Sequence, residues 1–249
     1  MSGHSKWSTI KHKKAATDAK RSKVWTKLIR EITVAARLHG GDAGANPRLR
    51  AAIDKGRGAN MPNDTIDRAV KKGSGELGGV TYEEVVYEGY GPGGVAVIVE
   101  ATTDNRNRTV GEIRHTFERY GGHLGASGSV HWMFRKRGLV HVPKDAATED
   151  RMMEIVLDAG GEDVKDAGEF WEIETDPAAL EAVKAAVAGA GITAAGAEVA
   201  LVPGNRVHLE EGKAETMLKL MNALEDDDDV QNVYANFDID DAVLERLTA

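Results

Sequence analysis

The chain contains no cysteine. Disulfides, zinc–thiolate centres and thiol catalysis are therefore excluded together, and the composition fits a cytoplasmic protein. No apolar run approaches the ~20 residues that cross a bilayer. The start is polar from Ser2 onward, so a secretory apolar segment is not expected there, and the basic run that follows passes into a patterned helix rather than a transit peptide. Phosphate loops of the G-x-x-x-x-G-K-[ST] type, H-E-x-x-H zinc helices and G-x-S-x-G elbows are all missing. The eight histidines are scattered, with no pair at metal-ligand spacing on one helix face. Gly89-Tyr90-Gly91-Pro92-Gly93-Gly94 matches G-x-G-x-x-G, but Val95–Val99 follows as a strand. A dinucleotide site needs a helix there to meet the pyrophosphate, so these glycines read as a hairpin turn. No converging acid–base set appears, and the reading is a protein without catalysis, cofactor or metal.

What the chain does have is segregated charge. Residues 1–78 carry 17 lysines and arginines against 7 acids, a net +10, whereas the remainder carries 15 against 33, a net −18. A basic segment on an acidic body points to one module that meets a polyanion, with nucleic acid as the leading candidate.

The 249 residues suggest two or three domains. From about Ala15, Val24, Trp25, Leu28, Ile29, Ile32, Ala35 and Ala36 recur at three- and four-residue steps, while Lys20, Lys23, Lys27, Arg30 and Arg37 take the opposite face. Gly40-Gly41 stops this helix, Asn46-Pro47 opens a second and Met61-Pro62 a third. Residues 1–78 are thus expected to form a basic three-helix bundle. Tyr82–Tyr90 and Val95–Ala101 read as strands, Val110, Ile113 and Phe117 as the stripe of a helix capped by Thr103-Asp104, and Ser129–Phe134 as a further strand. Residues 135–204 read βαββαβ, the ferredoxin-like order. A last helix (Met217, Leu220, Met221, Leu224) and strand (Val230–Asn236) could not bury their faces alone, so they are expected to complete the earlier ββαβ unit. The expected class is α+β multidomain: the bundle plus two α+β domains, with 135–204 inserted into one made of 79–134 and 205–249.

Within this frame Lys6, Lys11, His12, Lys13, Lys14, Lys20, Arg21, Lys23, Lys27 and Arg30 are candidate phosphate contacts. Arg106 and Arg108, at the start of a helix whose N-terminus attracts anions, are secondary candidates, with pairing to Asp104 or Glu112 as the competing role. Arg135-Lys136-Arg137 reads as a basic junction between domains or a further phosphate contact. Trp25 belongs to the core stripe, and Trp7 either pins the arm or stacks on a base. The Asp226–Asp229 run lacks the alternating acids and glycine of a calcium loop. It reads as a solvated turn, or as a phosphate mimic that docks on the basic arm when no ligand is bound.

The stretches GHSKWSTIKHKKAATDAKRSKVWTKLIREITVAAR, NPRLRAAIDKGRGANMPNDTIDRAVKKGSG, YEGYGPGGVAVIVEATTDNRNRTVGEIRHTFERYGG and GSVHWMF resemble the YebC/PmpR family. The likeness runs on to LEDDDDVQNVYANFDI and is thinnest across 145–200. The resemblance implies a helical bundle with two α+β domains around a cleft, a cytoplasmic bacterial protein, and no known activity or cofactor. Members are described as probable transcriptional regulators that bind DNA, and a mitochondrial branch as a translational activator. The implied partner is DNA, or ribosomal or messenger RNA on the ribosome, with no membrane.

Overall fold

A computed structural model describes residues 18–78 and 81–248. Lys6, Trp7, Lys11, His12, Lys13 and Lys14 lie outside the described residues. The first unit is three helices: α1 (Asp18–His39), α2 (Pro47–Gly58) and α3 (Asn63–Gly73). Ile32, Ala35 and Ala36 of α1 pack with Leu49, Ala52, Ile53, Met61, Ile66 and Ala69, with Trp25, Leu28 and Ile29 at the margin. Val24, expected on that stripe, instead faces solvent. It sits one position before Trp25, whose indole donates to the Ala59 carbonyl at 3.0 Å and sets the edge of the packed face. Asn46 joins two elements: its Oδ1 accepts from Leu49 N at 3.0 Å, capping α2, while its Nδ2 donates to the Ala35 and Gly40 carbonyls, both at 2.8 Å. At Gly73 a Cβ would lie 2.3 Å from the Thr33 carbonyl oxygen, so only glycine lets α3 approach α1 this closely.

The second unit is built on β1 (Glu83–Gly91) and β2 (Val95–Thr103), an antiparallel hairpin running from Glu83↔Thr103 to Gly91↔Val95. The glycine-rich segment between them is a turn, with Gly93 at φ +79°. Then follow α4 (Arg106–Arg119) and a two-residue strand β3 (His123–Leu124) beside β1. Next the chain leaves this sheet and builds another: β4 (Phe134–Pro143), α5 (Glu149–Leu157), β5 (Gly161–Asp166), β6 (Phe170–Thr175), α6 (Leu180–Gly189) and β7 (Gly196–Pro203). Its order, β5-β6-β4-β7 and antiparallel throughout, is the ferredoxin-like arrangement.

After β8 (Val207–His208) comes α7 (Glu211–Glu225), and β9 (Val230–Ala235) pairs antiparallel with β2 to give the sheet order β3-β1-β2-β9. A short β10 (Phe237–Asp238) runs parallel to β8, and α8 (Asp241–Thr248) follows. Val95, Val97 and Val99 on one face of β2 pack under Phe117, Met217, Leu220 and Met221 of α4 and α7. Ala96 and Ile98 on the other face meet Leu139, Ala200, Phe134 and Tyr234, which joins the two sheets. With both faces covered, β2 is apolar from Val95 to Val99, as expected of a central strand. No helix among the described residues is long and apolar enough to cross a membrane.

One sequence expectation is corrected here. Ser129–Phe134 is not a strand: residues 131–133 form a 3-10 turn, and β1 is instead flanked by His123–Leu124. The reason is chemical, since the buried Glu88 carboxylate accepts from the backbone N–H groups of Gly128 (2.6 Å), Val130 (2.8 Å) and His131 (2.8 Å), taking the donors a ladder would use. Arg135–Arg137 form the first part of β4, at the start of the second sheet, where Arg137 pairs with Glu162 at 3.1 Å and Glu174 at 3.2 Å.

Candidate nucleic-acid interface

Lys23, Lys27 and Arg30 recur along α1 at three- and four-residue steps and so share one face. That face meets the turn between α7 and β9. Lys23 Nζ donates to the Asp226 carbonyl at 3.1 Å and lies 3.4 Å from its carboxylate. Lys27 Nζ donates to the Glu225 carbonyl at 2.6 Å. Arg30 reaches deepest: its guanidinium donates to the Asp228 carbonyl, to the Thr102 carbonyl at 3.3 Å, and to Asp229 Oδ1 at 2.5 Å. The C-terminal carbonyls of α7 thus receive the cations that the negative end of a helix favours.

Asp229 is the centre of the arrangement. Its side chain is 4% exposed and Arg30's is 13%. Asp229 Oδ2 accepts from Thr109 Oγ1 (2.6 Å), Arg108 (2.8 Å) and Thr103 Oγ1 (2.9 Å). Its own backbone is fixed as well, because Thr102 N donates to its carbonyl at 2.7 Å and Asp227 Oδ1 accepts from its N–H at 2.8 Å. Burial pushes the Asp229 carboxyl up, but the donors Thr109, Arg108 and Thr103 and the charge of Arg30 outweigh it and hold the group below its ordinary value. Asp227 and Glu112 go the other way: burial raises both, and the neighbouring acids add to it.

The groups line an open cleft of about 460 Å³, bordered by Lys23, Arg30, Asp104, Arg108, Glu112 and the four aspartates. Carboxylate oxygens of Glu112, Asp227 and Asp229 lie within 4.8 Å of one another, a spacing that suits a cation. Here Arg30 and Arg108 already bring positive charge to Asp229, and both of its oxygens are occupied by donors.

Of the residues singled out from sequence, the structure therefore brings together Lys23, Lys27, Arg30 and Arg108. Lys20 and Arg21 lie in the first turn of α1. Arg106 stays apart, exposed at the start of α4, where its carbonyl accepts weakly from Tyr87 Oη at 3.5 Å. The helix cap is Asn105, whose Oδ1 accepts from Arg108 N at 3.1 Å, rather than Thr103-Asp104. The solvated-turn reading of the aspartate run fails at its last member, because Asp229 is buried where the run meets the apolar strand β9. Sequence reasoning missed Thr103 and Thr109; their only signal is position, one ending a strand and the other in the first turn of the next helix. It also missed Arg48, which bridges Glu31 of α1 at 2.8 Å and Glu84 of β1 at 2.5 Å, a second tie between the bundle and the sheet.

Two family models match the chain. The family model described as the TACO1/YebC protein N-terminal domain matches residues 5–76, and that for the TACO1/YebC second and third domain matches residues 82–237. A probable transcriptional regulatory protein of Geobacter sulfurreducens is 59% identical over 247 residues, which is 99% of this chain and 100% of that one. Another so named, from Syntrophus aciditrophicus, is 56% identical over 250 residues, the full length of both. The crystal structure of a conserved hypothetical protein from Aquifex aeolicus superposes with a TM-score of 0.82 at 48% identity, covering 90% of this chain and 93% of that chain.

Proposed function

Since the chain belongs to the TACO1/YebC family, we propose that it is a non-enzymatic regulator of gene expression that works in the cytoplasm by binding nucleic acid, in the first reading promoter DNA. One observation carries this. The basic face of α1 finds counter-charge in the aspartate run, Lys23 pairing with Asp226 and Arg30 with Asp229 while Lys27 takes the Glu225 carbonyl, so the protein itself presents closely spaced anionic groups to that face. A phosphate backbone presents the same chemistry, and Lys6, Lys11, His12, Lys13, Lys14, Lys20 and Arg21, which precede that face in the sequence, add to the positive charge available to it. Phosphate contacts of this kind position the protein and carry little sequence information. The regulatory names of its relatives support the same reading.

A second reading, an RNA-bound factor acting on the ribosome, is favoured by a different observation. Arg30 is nearly buried and held on Asp229, so α1 as folded cannot lie in a major groove. Crosslinking in cells followed by sequencing of the attached nucleic acid tests both. Promoter fragments support the first, ribosomal or messenger RNA the second, and recovery of neither overturns the proposal.

A further inference from the structure

Among the described residues, Trp132 is the most exposed of the large apolar side chains, at 73%. It does not sit on a loose loop. Glu88, buried in β1, binds three successive parts of the 128–131 backbone through its carboxylate, and its carbonyl accepts from Gly125 N at 2.8 Å. Tyr90 Oη donates to the Ser129 carbonyl at 3.1 Å, and the indole Nε1 of Trp132 donates to that same carbonyl at 3.1 Å. Val130 and Phe134 on either side are buried and anchor the turn. A buried carboxylate thus organises a segment whose outcome is an indole held out in water.

The indole's one polar atom is used internally, so the ring offers a partner only its apolar faces. Its orientation is already set, which lowers the entropy lost when something stacks on it. The flanking groups are cationic. Arg135 and Lys136 are exposed on opposite faces of β4, and the turn after β7, tied to Met133 by the Gly204 N–H at 2.8 Å, carries the exposed Arg206. Among the described residues none of these three makes an ion pair. An exposed aromatic ring with uncompensated cations close by in the chain matches an unpaired nucleotide: a base to stack and a phosphate to pair.

We propose that Trp132 is a stacking site for an unpaired base of single-stranded nucleic acid. The inference rests on the nucleic-acid-binding reading and adds to it a second contact point. Glu88 pairs with Ile98, whereas Thr103, the partner of Asp229, lies five residues further along β2, about 17 Å at strand rise. The indole and the basic face of α1 are therefore separate points of contact. Stacking rather than base-edge hydrogen bonding makes the site tolerant of sequence.

The test uses the full chain with a mixed-sequence single-stranded oligonucleotide in DNA and RNA forms. Binding should quench tryptophan emission, and W132F should lose most of that quenching although the chain's other three tryptophans remain. W132A should bind about 5- to 100-fold more weakly with an unchanged salt slope, and W132F should retain part of the affinity. Because the ring is exposed, both variants should melt with the wild type. Wild-type binding that W132A leaves intact overturns this inference and spares the broader reading. A wild type that binds neither oligonucleotide at low salt overturns both. A concentration-dependent dimer lost in W132A reassigns the ring to self-association and overturns the stacking site.

Discussion

Arg30 and Asp229 are 199 positions apart in sequence and 2.5 Å apart in space. One lies in the middle of the bundle's first helix, the other where the last strand enters the central sheet. The pair therefore holds the bundle against the α+β body at a point both leave nearly dry. Removing one partner strands a buried charge, which costs far more than the net worth of the pair. D229A should destabilise the protein by about 3 kcal/mol in urea unfolding, and R30A by less, since Arg108 and two threonines still serve Asp229. The double variant should be less destabilised than the sum of the single changes. A D229A loss under about 1 kcal/mol would place this contact among ordinary surface pairs.

The other three aspartates are not built into the fold in this way, and they face Lys23, Lys27 and the cleft. D226N/D227N/D228N, with Asp229 kept, should bind a nucleic-acid duplex more tightly than wild type at low salt, and the gain should fade as salt rises. Equal affinities at low ionic strength would mean that the turn does not compete for the basic face.

Acid pH separates the carboxylates by their surroundings. The Asp229 carboxyl is held below its ordinary value, so its stabilisation is full above that value and is lost only as pH falls through the lower folded one. Asp227 and Glu112 are raised, so their ionisation costs stability that acid relieves first. E112Q/D227N should thus be more stable than wild type at pH 7, with the advantage gone near pH 4. The wild-type advantage over D229N should persist to below pH 4. Denaturant midpoints across pH 3–7 would show a reversed order of these two losses if the assignment is wrong.

Binding should also report how many cations reach phosphate. With about six engaged, log K on duplex DNA should fall against log salt with a slope near −5. Neutralising Lys11, Lys13 and Lys14 should flatten it by about 3. A slope near zero would dismiss electrostatic recognition altogether.

Much of the architecture is legible in the chain because it is local. The Ile32–Ala36 spacing, the Asn46-Pro47 start, and the order of elements from β4 to β7 follow from periods and caps that neighbouring residues define. The strand misplaced at Ser129–Phe134 shows the limit of such signals. Its residues alternate acceptably, but Glu88, some forty positions earlier, claims their N–H groups. Trp132 likewise reads as one more apolar residue until that carboxylate turns it outward.

The sequence by itself determined that a basic helix face exists, that it lies opposite an apolar stripe, and that an acidic run follows the Met217–Leu224 helix. These follow from spacing and composition alone. Only the tertiary structure decided that the two meet. Their meeting depends on β9 closing against β2, which sets Asp229 beside Thr103 and beneath α1. A helix pattern states which side faces out, but the partner of that side is fixed by strand pairing across the whole chain.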